Sequence, residues 1–101
     1  MKTHLLTLLP VIALLTANPT EARDYWFGAD LSYVNEMQAC GARYDYKGET
    51  DVYKIFAQSG HNLVRVRIWV DAKWTPYSDF ADVEKTIAAA KAQGQKVLLD
   101  F

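Results

Sequence analysis

Apolar positions after residue 26 follow two different periodicities in turn, and this predicts that strands and helices alternate. Short runs rich in apolar and β-branched residues predict strands at residues 27–31, 63–70 and 95–101. Apolar residues three or four positions apart predict helices at residues 50–59 and 79–93. The predicted strands start near residues 27, 63 and 96, at steps of 36 and 33 residues, which is the size of a βαβ unit. The pattern therefore predicts an α/β fold with a parallel sheet.

Both predicted helices carry start and stop signals. Thr50 is the predicted N-cap of the first helix and Gly60 follows its end. Asp79 begins the second helix, and Gly94 ends it. One apolar stripe of the second helix is expected to face the core, and its members are Phe80, Val83, Ile87 and Ala90.

Parallel strands joined by helices need a neighbouring strand on each side and helices on the faces of the sheet. A chain that stopped on the apolar strand at residues 95–101 would leave that edge unpaired. Eight such units amount to about 250 residues, the usual size of a closed barrel. We therefore expect residues 23–101 to be the N-terminal part of a (β/α)8 barrel domain, with about three of its eight strands, in a longer chain.

The N-terminal residues have the pattern of an export signal. Lys2 gives a positive start, residues 5–15 form an uncharged apolar run, and Thr20 and Ala22 are small residues before a possible cleavage site. An apolar run of this length is shorter than the roughly 20 residues that span a bilayer. We predict a signal peptide at residues 1–22, with a second possible cut after Ala17, and a secreted or periplasmic protein.

Composition excludes several functions. The formal net charge is −1, with 11 basic and 12 acidic residues, so the clustered positive charge of a nucleic-acid binder is missing. The single cysteine, Cys40, excludes an internal disulfide framework and a cysteine-rich zinc site. No spacing of His, Asp or Glu indicates a metal site. We therefore predict neither a nucleic-acid partner nor a metal ligand set in this sequence.

The candidate site residues lie at or near the carboxyl ends of the predicted strands, where parallel α/β folds gather their function: Asp30, Arg65, Arg67, Trp69 and Asp100. Arg65, Arg67 and Trp69 alternate along one strand, so their side chains share a face. Inward-facing arginines need carboxylate partners, and such pairing also lowers the pKa of a carboxylate. A structural ion pair or an exposed edge-strand face is the alternative interpretation.

Aromatic residues follow the second predicted strand closely. Trp69, Trp74 and Tyr77 lie within nine positions of one another. Flat rings of this kind can cover the apolar face of a sugar, or they can close the top of the core.

Three blocks of this sequence resemble glycoside hydrolase family 53, the arabinogalactan endo-β-1,4-galactanases. The blocks are residues 27–37, 60–69 and 97–101, which read FGADLSYVNEM, GHNLVRVRIW and VLLDF. Their order and separation are also similar. The resemblance covers nearly the whole chain after the predicted signal peptide.

The resemblance implies a (β/α)8 barrel and a secreted enzyme that cleaves β-1,4-galactan inside the polymer. It also implies a retaining mechanism with two glutamates about 5–5.5 Å apart. Those glutamates follow the fourth and seventh strands of the family, so no catalytic residue is expected in this sequence, and Glu36 and Glu84 do not match them. Arg65 matches the arginine that bonds near the nucleophile, and Asp30, Arg67, Trp69 and Asp100 are expected to line the cleft.

The resemblance also sets the expected partners. The substrate is a polysaccharide, β-1,4-galactan or arabinogalactan, and the full-length protein is expected to be a monomer with no membrane contact after signal cleavage. No cofactor is expected, although some bacterial members bind calcium, whose ligands this sequence does not contain. We expect the 101 residues alone to be inactive. Two alternatives remain, another retaining glycosidase on the same barrel and a short secreted carbohydrate-binding module.

Overall fold

The computed structural model describes residues 25–101. The elements follow in the order β1 (Gly28–Asp30), α1 (Val34–Ala39), α2 (Val52–Gln58), β2 (Leu63–Arg67), α3 (Phe80–Ala92) and β3 (Lys96–Asp100). The three strands form one parallel sheet with β2 in the middle. The predicted α/β fold with a parallel sheet is confirmed, whereas the predicted signal peptide at residues 1–22 lies outside the described residues.

The two faces of β2 differ in the way that the alternating sequence predicts. Val64 and Val66 are 0% and 2% exposed and point toward the helices, whereas Arg65 and Arg67 lie half-buried on the opposite face. In register, Arg65 lies between Asp30 of β1 and Leu98 of β3. The sheet therefore buries β-branched residues on one side and collects charged residues on the other.

The core lies between the sheet and the helices. Its buried cluster joins residues from the segment after β1, from α2, from β2 and from α3: Leu31, Val34, Val52, Tyr53, Val64 and Ala90. Burial of a Val or Leu side chain contributes about 1.5–3 kcal/mol, so this cluster stabilises the packing of the helices on the sheet.

Helix α1 is an element that the sequence pattern did not predict. It has only six residues, and its N-cap, Tyr33, makes no side-chain capping bond. A helix this short lacks a full apolar repeat and is marginal alone, so its stability comes from packing of Val34 in the core.

The apolar stripe predicted for α3 is wrong at its first position. Phe80 is 69% exposed, whereas Val83 and Ala90 are buried as expected. Asp82 and Thr86 are buried on the same helix, and both accept hydrogen bonds from the side-chain amide of Asn35 in α1. The buried face of α3 can include these two polar residues because Asn35 of α1 donates a hydrogen bond to each of them.

Strand β2 ends earlier than the predicted range of residues 63–70. The amide of Ile68 still donates to the Asp100 carbonyl at 2.8 Å, but the amide of Trp69 donates to Ser78 in the loop before α3. Val70 is 87% exposed, so it does not join Val64 and Val66 on the covered face, as a strand continuing to residue 70 would require. The chain leaves the sheet because the loop supplies the next backbone acceptor.

The start of α2 is displaced by one residue from the prediction, and this can be tested. Asp51, not Thr50, is the N-cap, and its carboxylate accepts from the amides of Tyr53 and Lys54 at 2.9 and 3.2 Å. Asp51→Ala is therefore expected to lower the free energy of unfolding by about 1 kcal/mol, measured by urea denaturation of the folded protein. Thr50→Ala, the matched control, is expected to change it by less than about 0.5 kcal/mol. Equal losses from the two variants would contradict the capping assignment.

Candidate active site

Three charged side chains meet on the open face of the sheet near the carboxyl ends of the strands. Arg65 donates through Nη1 to Asp30 and through Nη2 to Asp100, so one guanidinium joins β1, β2 and β3. All three side chains are about two-fifths exposed, at 41–42%. We call this set the carboxylate–arginine bridge. The expectation that Arg65 finds carboxylate partners is confirmed.

The strand register explains why one arginine reaches both acids. Arg65 is paired directly with Asp30 on β1, but its partner on β3 is Leu98, two residues before Asp100. Side chains at even spacing along a strand share a face, so Asp100 is the diagonal neighbour of Arg65. The planar fork of a guanidinium can donate in both directions, which a lysine ammonium does less well.

Ser32 links the bridge to the end of β2. Its buried hydroxyl donates to Asp30 Oδ1 and accepts from the backbone amide of Arg67 at 2.9 Å. The amide of Ser32 also donates to Asp30 Oδ1, at 3.0 Å. The carboxylate of Asp30 is therefore held by Ser32 on one oxygen and by Arg65 on the other.

These contacts determine the protonation state of Asp30. Partial burial alone raises the pKa of a carboxyl group, but here the bonds from Ser32 and Arg65 outweigh burial and lower the pKa below its ordinary value of 3.8. Asp30 is therefore a carboxylate at neutral pH, suited to orienting Arg65 and not to donating a proton.

This shift predicts how the cost of removing Asp30 depends on pH. Because the native pKa is lowered, the stabilising contribution of the carboxylate is present above the unfolded pKa and is lost as pH falls through the native pKa. Asp30→Asn is expected to reduce the free energy of unfolding at about pH 6 and to reduce it less at about pH 3. Urea denaturation at both pH values measures this, with Asp71→Asn, which changes a 74% exposed carboxylate, as the control. A loss that is the same at both pH values would count against the assignment.

Arg67 has a different environment from the one predicted. No carboxylate within residues 25–101 forms an ion pair with it, and its Nε and Nη2 atoms are buried without a hydrogen-bond partner. Its Cζ atom instead lies 4.6 Å from the ring centroid of Tyr33 and 4.1 Å from that of Trp69. Two aromatic faces thus take the place of the expected carboxylate, through cation–π attraction. We call Tyr33, Arg67 and Trp69 the arginine–aromatic stack.

The stack continues toward solvent through a second tryptophan. The rings of Trp69 and Trp74 are 5.3 Å apart at 50°, and Trp74 is 74% exposed. Trp69 itself lies two residues beyond the end of β2. An exposed indole beside fixed aromatic rings can accept the apolar face of a sugar.

Ser32 and Tyr33 also contribute to the candidate site, although neither is among the candidate residues predicted from the sequence. Both lie in the loop that follows β1, at the edge of the sheet where parallel α/β folds carry their function. Their position just after a predicted strand was the feature of the sequence that could have indicated a role in the site. The contact with Arg67 could not be read from spacing, because it depends on the path of the chain into α1.

Residues 25–101 contain neither a cluster of metal-ligating side chains nor a helix that could span a membrane. No group of three or more His, Cys, Asp or Glu side chains in this range is arranged to hold a metal ion. None of the helices in the same range has the length and apolar character needed to span a bilayer.

A parallel sheet with charged and aromatic side chains at the carboxyl ends of its strands is typical of α/β enzymes, βα-barrels among them. The family model described as Glycosyl hydrolase family 53 matches residues 26–101. The chain belongs to this family. The three strands are the N-terminal part of its (β/α)8 barrel, which confirms the predicted fold class.

Named relatives agree with this assignment. The chain is 47% identical over 104 residues to an arabinogalactan endo-beta-1,4-galactanase of Cellvibrio japonicus (strain Ueda107), and this match covers 100% of the chain and 28% of the relative. It is 38% identical over 88 residues to an endo-beta-1,4-galactanase of Bacillus subtilis (strain 168), covering 78% of the chain and 20% of the relative. The chain thus spans about a quarter of the length of these relatives.

A solved structure gives the same result in three dimensions. A chain from the structures of two fungal beta-1,4-galactanases superposes with a TM-score of 0.68 at 29% identity. The superposition covers 73% of this chain and 23% of the fungal chain. The similarity thus extends to the arrangement of strands and helices.

Proposed function

We propose that these residues form the N-terminal part of an endo-β-1,4-galactanase that hydrolyses β-1,4-galactosidic bonds within galactan or arabinogalactan. The observation that carries the proposal is the carboxylate–arginine bridge, which holds Arg65 near the carboxyl ends of the strands in a family 53 chain, the edge where barrel enzymes carry their active sites. The two bacterial relatives are both named as galactanases, which supports this substrate.

The proposed reaction retains the anomeric configuration. One glutamate donates a proton to the departing glycosidic oxygen while a second attacks the anomeric carbon, and water then releases the glycosyl group as the first residue acts as base. We place both glutamates on strands beyond residue 101. Neither Glu36 nor Glu84 is assigned this role, because they lie on α1 and α3 and not at the end of a strand.

Within this mechanism Arg65 orients and stabilises the nucleophile. Asp30 and Asp100 hold its guanidinium from two sides, so its remaining donors have a fixed direction. A positive charge beside a carboxylate keeps that carboxylate ionised and ready to attack. Preorganisation of this kind is among the largest contributions that a protein makes to catalysis.

The arginine–aromatic stack provides the proposed sugar contact. Trp69 is fixed against Arg67, and Trp74 presents most of its surface to solvent beside it. Stacking between indole and the apolar face of galactose needs no charge on the substrate, which suits a neutral polymer.

The test is to extend the open reading frame past the codon for Phe101, express the full-length protein and assay it on β-1,4-galactan, xylan and mannan. Release of galacto-oligosaccharides of several lengths from galactan supports an endo-galactanase. Activity on xylan or mannan alone would replace this substrate with that of another retaining glycosidase. Galactan binding without hydrolysis would favour a carbohydrate-binding module, and hydrolysis by residues 1–101 alone would contradict the placement of the glutamates.

The cellular setting is part of the proposal. The N-terminal pattern at residues 1–22 supports export to the periplasm or the medium. We further propose a full-length protein that acts as a monomer, has no membrane contact after signal cleavage, and needs no cofactor. Fractionation, sizing chromatography and assay with and without a chelator test these three points, and lost activity in the chelator would indicate a calcium site outside residues 25–101.

A further inference from the structure

Asp82 is a buried acid that the carboxylate–arginine bridge does not use. It lies in the first turn of α3 and is 8% exposed. Its Oδ2 accepts from the amide of Ser78 at 2.7 Å, and its Oδ1 accepts from the side-chain amide of Asn35 at 2.9 Å. A buried carboxylate is stable only with such donors, so both bonds hold the surrounding segments firmly.

These two bonds lead separately toward the two aromatic members of the arginine–aromatic stack, Trp69 and Tyr33. On one side Ser78, held with a φ of +60°, accepts from the amide of Trp69 at 2.8 Å through its carbonyl. On the other side Asn35 lies in α1, two residues after Tyr33. One carboxylate is therefore linked through Ser78 to the backbone of Trp69, and through the side chain of Asn35 to the segment that carries Tyr33.

We propose that Asp82 is a positioning residue for the sugar-binding wall, by which we mean the surface formed by the rings of Trp69 and Trp74. By holding Ser78 and Asn35 it fixes the separation of the Trp69 and Tyr33 rings around Arg67, and thus the orientation of Trp69 and Trp74. The role in sugar binding rests on the galactanase function proposed above. Asp82 touches no substrate, so its loss weakens binding of the polymer and leaves the chemical step unchanged.

Asp82→Asn in the full-length enzyme is the first test. Asparagine keeps the shape but turns an amide nitrogen toward one of the two donors, so one bond is lost. We expect KM for galactan to rise about tenfold while kcat stays within about twofold. Glu84→Gln is the control, because it removes the same charge from an exposed position of the same helix and is expected to change neither value. A fall in kcat at unchanged KM would overturn the proposal.

A second pair of variants separates positioning from general loss of structure. In a Trp74→Ala background the wall is already incomplete, so adding Asp82→Asn is expected to raise KM by less than about twofold. Asn35→Ala, a milder change at a half-buried position, is expected to raise KM in the same direction. If the increases in KM from Asp82→Asn and Trp74→Ala multiply fully in the double variant, the two residues act independently, and the positioning role would be overturned.

Hydrogen exchange tests the positioning without any substrate. In Asp82→Asn the hydrogen-bonded amides of Trp69 and Ser78 are expected to exchange about tenfold faster, whereas those of the turn at residues 46–49 keep their rate. Unchanged exchange at Trp69 and Ser78 would overturn the positioning role. Absence of galactan hydrolysis by the wild-type enzyme would overturn the proposed function instead, so the two failures are distinct.

Discussion

Arg65→Met in the full-length enzyme is expected to lower kcat on galactan by about 100- to 1000-fold, the usual loss when a preorganised donor is removed from an active site. Methionine fills a similar volume but cannot donate to a nucleophile. It also leaves Asp30 and Asp100 on one face without the cation that now joins them. Initial rates on galactan, with thermal unfolding of the same samples, measure both consequences.

Two variants make this result interpretable. Arg43→Met removes an exposed arginine far along the chain from the bridge and is expected to keep full activity. Arg65→Lys retains the charge but not the fork, so we expect an activity between those of the wild type and Arg65→Met. An Arg65→Met enzyme that is folded and within about threefold of wild-type kcat would remove Arg65 from the catalytic machinery.

Gly28→Ala is expected to destabilise the protein by about 2 kcal/mol, because the sheet has no space for the added methyl group. A Cβ at this position would lie 2.8 Å from the carbonyl oxygen of Leu63 and 3.0 Å from its Cβ. The clash is with the neighbouring strand, so relief requires β1 to move away from β2. Such movement also displaces Asp30, which is two residues further along β1, and lower activity should accompany the lower stability.

Gly48→Ala is the control for the glycine substitution. Nothing lies within 4 Å of its added Cβ, but its φ of +85° is unfavourable for alanine. A loss of about 1 kcal/mol without a change in kcat is therefore expected. Denaturant unfolding and galactan assays of both variants separate crowding between strands from backbone strain. If Gly28→Ala kept the wild-type stability, β1 and β2 would accommodate the added methyl group without a cost in the free energy of unfolding, which would contradict the prediction.

Repeating local signals made much of the fold predictable. The alternation of Val64 and Val66 with Arg65 and Arg67 is enough to assign both faces of β2, because side chains of a strand alternate in direction. Gly60 and Gly94 marked the ends of α2 and α3, and both have the positive φ that ends a helix. The resemblance to family 53 then supplied the barrel.

The remaining features depend on contacts between distant segments. Asp30 and Asp100 could be assigned to strand ends, but only the register showed that both reach the same arginine. Asp82 carries the signal of a helix first turn, which explains its position but not its bonds to Ser78 and Asn35. The pairing of Arg67 with two rings, in place of an acid, likewise depends on where α1 begins.

The charges at the strand ends balance one another. Asp30 and Asp100 contribute two negative charges, and Arg65 and Arg67 contribute two positive charges within the same small region. Four charges that cancel over so short a distance exert little long-range field of their own. Association with an uncharged glycan should therefore vary little with ionic strength, and the encounter would be governed by diffusion and by the fit of rings to sugar.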